Sequence, residues 1–253
     1  MFRWDIVWQF FFSSFIFQAA WTTLWISVVA QTCGVILGLF IALMRMSRFS
    51  ILSRPAGAYI WFFRGSPLLV QVLLLWDGLP RIVPGLLLPG WAVIVIAFSL
   101  NEGAYMAEIT RAGITSVDPG QMEAAKSLGM RYALAMRRII LPQAARVIIP
   151  PLGNEFNNML KTTSIASVIG LEELTGTAEI FGSPTFTIFE LLIVVTFYYL
   201  LLTTLWGFVQ SWIENRLDPN RTLKVELVDK KTLTSRLIGL GSPRSGGTLV
   251  SGR

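Results

Sequence analysis

Between Ala19 and Met44 the chain carries no charged side chain. A helix crosses a hydrocarbon core in about 20 residues, and a bilayer tolerates only backbone whose polar groups are satisfied from within. This stretch is therefore expected to be a membrane helix, and that expectation constrains everything after it. Comparable apolar runs cover about 57–79, 88–110 and 188–213. The second is interrupted near its start by Arg64, Gly65 and Pro67. Pro89 can start the third, and Arg111 stands at its end. Composition agrees: 14% of residues are charged and 53% hydrophobic, whereas an ordinary soluble domain has about 25% charged.

Residues 2–18 are crowded with aromatics, among them Trp4, Trp8, Phe12 and Phe15, and carry only Arg3 and Asp5. They lack the basic n-region and small-residue cleavage site of a signal peptide. Aromatic rings favour the headgroup level, so residues 1–18 read as an interfacial helix. Residues 147–171 are equivocal, because Asn154, Glu155, Asn157, Asn158 and Lys161 interrupt the hydropathy. The charges help decide. With this segment as a fourth of five spans, the N-terminus lies outside and the C-terminus in the cytoplasm. Every one of the 21 Lys and Arg except Arg3 and Arg81 then falls on the inner side, as the positive-inside rule requires. The net charge of +6 is accordingly spread over inner loops, and nucleic acid is not expected as a partner. The polar tail, 214–253, is expected to be cytoplasmic.

There is no histidine, which removes His-based acid–base chemistry and His metal sites. The single cysteine, Cys33, excludes an internal disulfide and is expected to pack as a small hydrophobe. No Gly-Lys-Ser or Gly-Lys-Thr occurs, so the chain has no loop to cradle a nucleotide's phosphates. No constellation of nucleophile and base is visible, and the chain is not expected to be an enzyme.

One cytoplasmic stretch stands out. Asp118, Pro119 and Gln121 form a helix start, with an N-cap, a first-turn proline and a capping-box partner. The segment EAAKSLGMRYALAMRRIILP, Glu123–Pro142, then reads as a short helix, a stop at Gly129 and a second, basic amphipathic helix. Its spacing resembles the EAA loop of bacterial ABC-importer permeases. FRGSPLLVQ (Phe63–Gln71), NEGAYMAEITRAGITSVDPGQMEAA (Asn101–Ala125) and LPQAARVIIPPLGNEFNNMLKTTSI (Leu141–Ile165) extend the likeness to the polar-amino-acid permeases of the histidine/glutamine type. The resemblance spans about residues 18–213.

It implies an all-α membrane protein, a five-span helical bundle with a cytoplasmic EAA coupling loop at about 112–146. It also implies a bacterial plasma (inner) membrane location and a permease role in amino-acid import. The implied partners are a second permease subunit, identical or homologous, ABC ATPase subunits and an extracytoplasmic solute-binding protein. The chain itself has no cofactor; ATP and Mg belong to the ATPase. Thr162, Asp77 and Glu102 depart from the usual family pattern and bear on substrate identity.

Residue roles can be argued physically. Ala124, Ala125 and Leu128 offer a small apolar ridge to a groove in the ATPase, Gly129 turns the chain, and Glu123 orients the loop. Asn101 and Tyr105 lie four apart and share a helix face. Phe98 and Glu108 extend the stripe, and Glu102 stands beside it. A free amino acid in mid-membrane needs partners for its ammonium and carboxylate and an aromatic wall, which Phe98, Asn101, Glu102 and Tyr105 can supply. Asn154, Asn157 and Lys161 recur at helical spacing on the fourth span, and Gln71 sits on the second. All of these polar residues can equally serve as hydrogen-bonding glue between helices. Two rival readings remain: a secondary transporter coupling an ion through Glu108, and a membrane scaffold that moves no solute.

Overall fold

The computed structural model describes residues 2–217, and among them every regular element is helical. Helix α1 (Trp4–Phe11) is followed by the long α2 (Ser14–Arg45). The two are separate because Ser13 is extended and its hydroxyl accepts from the Ile16 amide at 3.4 Å, capping α2. Helix α1 therefore ends at Phe11, and residues 14–18 belong to α2 rather than to the expected 1–18 unit.

The second apolar run is not one straight span. It starts early, with α3 (Ser50–Gly65), and resumes after a 106° bend as α4 (Leu68–Leu73), a π-turn over Leu74–Gly78 and α5 (Leu79–Ile82). The cause is Pro67. It excludes helical geometry at the residue before it, and Ser66 is extended with φ −112° and ψ 145°.

Helix α6 (Gly90–Thr115) follows an extended Pro89. Beyond it come α7 (Pro119–Ser127), the single turn α8 (Tyr132–Ala135), a π-turn over Met136–Ile140, and α9 (Leu141–Thr162), which tightens into a 3₁₀ segment, Thr163–Ile169. Helices α10 (Leu174–Thr185) and α11 (Ile188–Leu217) complete the described chain. Residues 214–217 thus continue α11, and the rest of the expected tail lies outside the described residues.

Helices α2, α6 and α11 are long and apolar enough to cross a bilayer, and the bent α3–α5 region qualifies if taken as one broken span. Helix α9 does not pass on composition, because Arg146, Asn154, Glu155, Asn157, Asn158 and Lys161 lower its hydropathy.

The α2–α6 seam positions everything else. A Cβ on Gly38 would sit 2.4 Å from the Met106 Cβ, and one on Gly34 would sit 2.7 Å from the Glu102 Cβ. Only glycine lets the two backbones approach this far, as is usual between membrane helices. Beside this seam, Ile26, Ala30, Ile94, Ala97, Phe98 and Met159 form one buried cluster. Cys33 lies off the seam and is exposed, not packed as expected.

A second cluster joins Val7, Ile16, Leu174, Leu191, Val194 and Tyr198. Glu173, fully buried before α10, locks this end. It accepts from the Gly176 amide at 2.8 Å and from the Tyr199 hydroxyl at 2.6 Å, and burial pushes its carboxyl pKa up.

Candidate functional site

Beyond Phe98 a cavity of about 650 Å³ opens between α6 and α9. Phe98, Asn101, Glu102 and Tyr105 form the α6 wall. Glu155, Asn158, Met159, Lys161 and Thr162 form the α9 wall, and Ser164 and Ile165 of the 3₁₀ segment and Leu68 of α4 complete the lining.

The α6 stripe expected from the sequence is therefore assembled on one surface, and Lys161 faces it. Glu102 is 5% exposed and accepts from the Gln31 amide of α2 at 3.0 Å. The two glycines of the seam admit this contact by bringing α2 close. Arg64, at the end of α3, places its guanidinium 5.2 Å from the centre of the Tyr105 ring, within cation–π range.

Three other expected residues do not line the cavity. Gln71 is buried at the helix break, donating to the Phe63 and Ser66 carbonyls at 3.0 and 3.1 Å. Asn101 donates to the same Phe63 carbonyl at 3.0 Å and to the Gln71 side-chain oxygen at 3.2 Å. Peptide groups freed by the bend are thus satisfied by two side-chain amides, as the interior of a membrane protein demands. Asn154 faces away and accepts from Gln210 at 3.2 Å. Asn157 also points elsewhere, with its side-chain oxygen buried and without a hydrogen-bond partner.

The residues missed on α9 are Glu155, Asn158 and Thr162, at spacings of three and four. They repeat the periodicity of Asn154, Asn157 and Lys161 one residue later. Two polar stripes in adjacent phase cannot be told apart by period alone. Packing decides: Trp206 of α11 donates to the Gly153 carbonyl at 2.8 Å, and its ring lies tilted against Phe156 with centroids 4.3 Å apart. This turns Glu155, Asn158 and Thr162 to the cavity, which Lys161 of the first stripe also reaches.

At the loop, the Asp118 carboxylate caps α7 by accepting from the Gly120 amide at 2.8 Å. Gln121 does not close a capping box; its side chain accepts from Gln143 at 3.4 Å, joining the two arms of the loop. Gly129 has φ +75°, its amide donates to the Lys126 carbonyl at 2.9 Å, and Met130 donates to the Ala125 carbonyl at 3.0 Å. These two bonds make a Schellman stop, which requires the left-handed residue.

Glu123 and Ala124 are exposed and Leu128 is 82% exposed, but Ala125 is 1% exposed. Ala125 thus backs the helix instead of joining the expected outward ridge. After Gly129 the basic arm runs helically from Tyr132 through the π-turn into α9. No break separates the loop from the α9 wall of the cavity.

Comparison with known proteins matches this architecture. The chain is 38% identical over 247 residues to the arginine transport system permease protein ArgU of Corynebacterium glutamicum, covering 92% of this chain and 75% of that one. It is 40% identical over 196 residues to the probable glutamine ABC transporter permease protein GlnM of Bacillus subtilis, covering 78% and 90%.

Among solved structures, an amino acid ABC transporter crystallised with histidines superposes with a TM-score of 0.75 at 46% identity, over 80% of this chain and 94% of that one. The MetNI methionine ABC transporter in an inward-facing form shares the fold, with a TM-score of 0.69 at 16% identity over 80% and 96%. Residues 34–219, which hold the seam, the cavity and the capped loop, match the model for the binding-protein-dependent transport system inner membrane component. On that match, this chain belongs to the family of inner membrane components of binding-protein-dependent transport systems, a transport subunit and not an enzyme.

Proposed function

We propose that this chain is the permease subunit of an ATP-driven importer for polar amino acids, and that the cavity between α6 and α9 receives the substrate. The observation that carries the reading is the mixed lining of that cavity. The α6 wall offers the Glu102 carboxylate and the Asn101 oxygen to an ammonium group. Lys161, Asn158, Thr162 and Ser164 offer donors to a carboxylate, and Tyr105 supplies aromatic surface, with Phe98 fully buried behind the lining. With Glu155 on the opposite wall, carboxylates outnumber lysines, which suits a zwitterionic or cationic amino acid.

In this reading α2, the broken α3–α5 region, α6, α9 and α11 are five spans, with the N-terminus outside and the loop in the cytoplasm. The exposed Ala124 and Leu128, turned by Gly129 and oriented by Glu123, dock into an ATPase that binds ATP and Mg. A second permease, identical or homologous, closes the open face of the cavity, and a solute-binding protein delivers substrate from outside. The substrate shifts the transporter between inward- and outward-open states only through its different affinity for the two.

Co-purification from the native membrane tests the reading first. Wild type should retain an ATPase in mild detergent, and Gly129→Asp should lose it or lose ATP-driven uptake of labelled arginine and glutamine. Wild-type chain free of ATPase, or normal uptake by the variant, would overturn it.

A further inference from the structure

The α6 stripe does not end at the central cavity. One turn past Tyr105, Glu108 binds Arg111 at 2.7 Å and accepts from its Nε at 3.2 and 3.3 Å. A second cavity of about 580 Å³ opens around this pair, lined by Arg45 and Met46 from the end of α2 and by Glu108, Arg111 and Thr115 from α6. The charged groups remain accessible, with the Arg111 and Glu108 side chains 40% and 24% exposed. Arg45 is held only loosely, donating to the Ser53 carbonyl at 3.3 Å.

An ion pair this exposed contributes about 0–1 kcal/mol to stability, so stability does not account for two guanidiniums and a carboxylate converging on one cavity. Their chemistry does have a natural complement. Guanidinium forks bind carboxylates in bidentate fashion, and a carboxylate binds an ammonium.

The geometry points to an exit site. Arg45 and Arg111 hold the α-carboxylate of the departing amino acid, and Glu108 holds its α-ammonium, one helical turn along α6 from the central cavity. This inference rests on the central cavity being the amino-acid site. The step from Tyr105 to Glu108 is about 4.5 Å of helix rise. The two cavities therefore lie along neighbouring turns of α6, and Arg64 packs over Tyr105 of the central one. A purely anionic headgroup is disfavoured because Glu108 opposes it. A zwitterionic headgroup shares the chemistry, and the lipid composition of the test separates it.

The test uses the permease–ATPase complex in nanodiscs of phosphatidylglycerol alone and in discs that also contain phosphatidylethanolamine. Equilibrium binding of tritiated L-arginine and L-glutamine to wild type should resolve a tighter and a weaker class of site in both discs. Glu108→Gln and Arg45→Gln should each weaken the second class by about tenfold or more, the loss of one charge-assisted contact. The tighter class and the KM for substrate-stimulated ATPase should be retained while transport per ATP falls. Arg45→Gln breaks no ion pair, so it keeps the test valid should Glu108→Gln misfold.

A single class of site untouched by either variant overturns the exit site and leaves the central one standing. A weaker class lost whenever phosphatidylethanolamine is present shows a lipid site and overturns it as well. Wild type that binds neither amino acid removes the central site, and the exit site with it.

Discussion

Both hydrogens of the Asn101 amide are engaged, one on the Phe63 carbonyl and one on Gln71, so Oδ1 is what remains for a ligand. In the proposed site an acceptor there serves an ammonium and not a carboxylate, which sets the direction in which the amino acid lies. Asn101→Ala should weaken transport while leaving ATPase attachment unchanged. It also strips the Phe63 carbonyl and Gln71 of one partner each, a cost of about 1–3 kcal/mol that a lower melting temperature of the purified complex would report. Loss of assembly instead would assign Asn101 to packing. Gly129 makes the complementary case. Nothing lies within 4 Å of a Cβ built there, so a substitution meets no steric obstacle. Gly129→Ala should therefore cost only about 1 kcal/mol, from its φ of +75°, and should impair uptake less than Gly129→Asp. At this scale the sequence shows Phe98, Asn101, Glu102 and Tyr105 clearly, because one helical period and one apolar surround define their face. It cannot choose between the two polar stripes of α9, since that choice is made by Trp206 of the distant helix α11 packing on Gly153 and Phe156.

The elements show the same division. The long runs that became α2, α6 and α11 are legible from their length alone. Pro67 marks the interruption in the second run, yet no local signal says that the chain turns by 106° there or that Gln71 and Asn101 complete the turn. At the seam, Gly38→Val should prevent α2 and α6 from meeting. A Cβ 2.4 Å from its neighbour on a packed helix has nowhere to move, and gel filtration of the solubilised variant should show little folded complex. Glu173 makes a pH prediction. Its carboxyl pKa is raised above the ordinary 4.5 by burial, so the folded chain holds that proton more tightly than the unfolded one. The stability this gives is fully present below the ordinary value and is lost as pH rises through the raised one. Melting temperature should accordingly fall with rising pH over that window, and Glu173→Gln should flatten the slope; an unchanged slope would remove Glu173 as its source.

For the whole molecule, the distribution of Lys and Arg is the basis for the proposed orientation in the membrane. In a Cys33→Ser background, Leu87→Cys should react with a membrane-impermeant maleimide in intact cells, and Ser127→Cys should react only after permeabilisation. The opposite pattern would invert the topology. The continuity of the loop with α9 has a further consequence. Helix α9 is 22 residues long, about 33 Å of helix rise, with Pro150 and Pro151 inside it, the loop arm at one end and Glu155, Asn158 and Lys161 toward the other. In the proposed reading, one continuous helix joins the ATPase-docking loop to the ligand cavity, so the two share a structural element. Whatever factor the docked protein's state imposes on ligand affinity, ligand occupancy must impose on the docked protein in return. In the proposed importer, communication across the membrane therefore runs in both directions along one helix, and a loaded cavity is itself a signal to the ATPase.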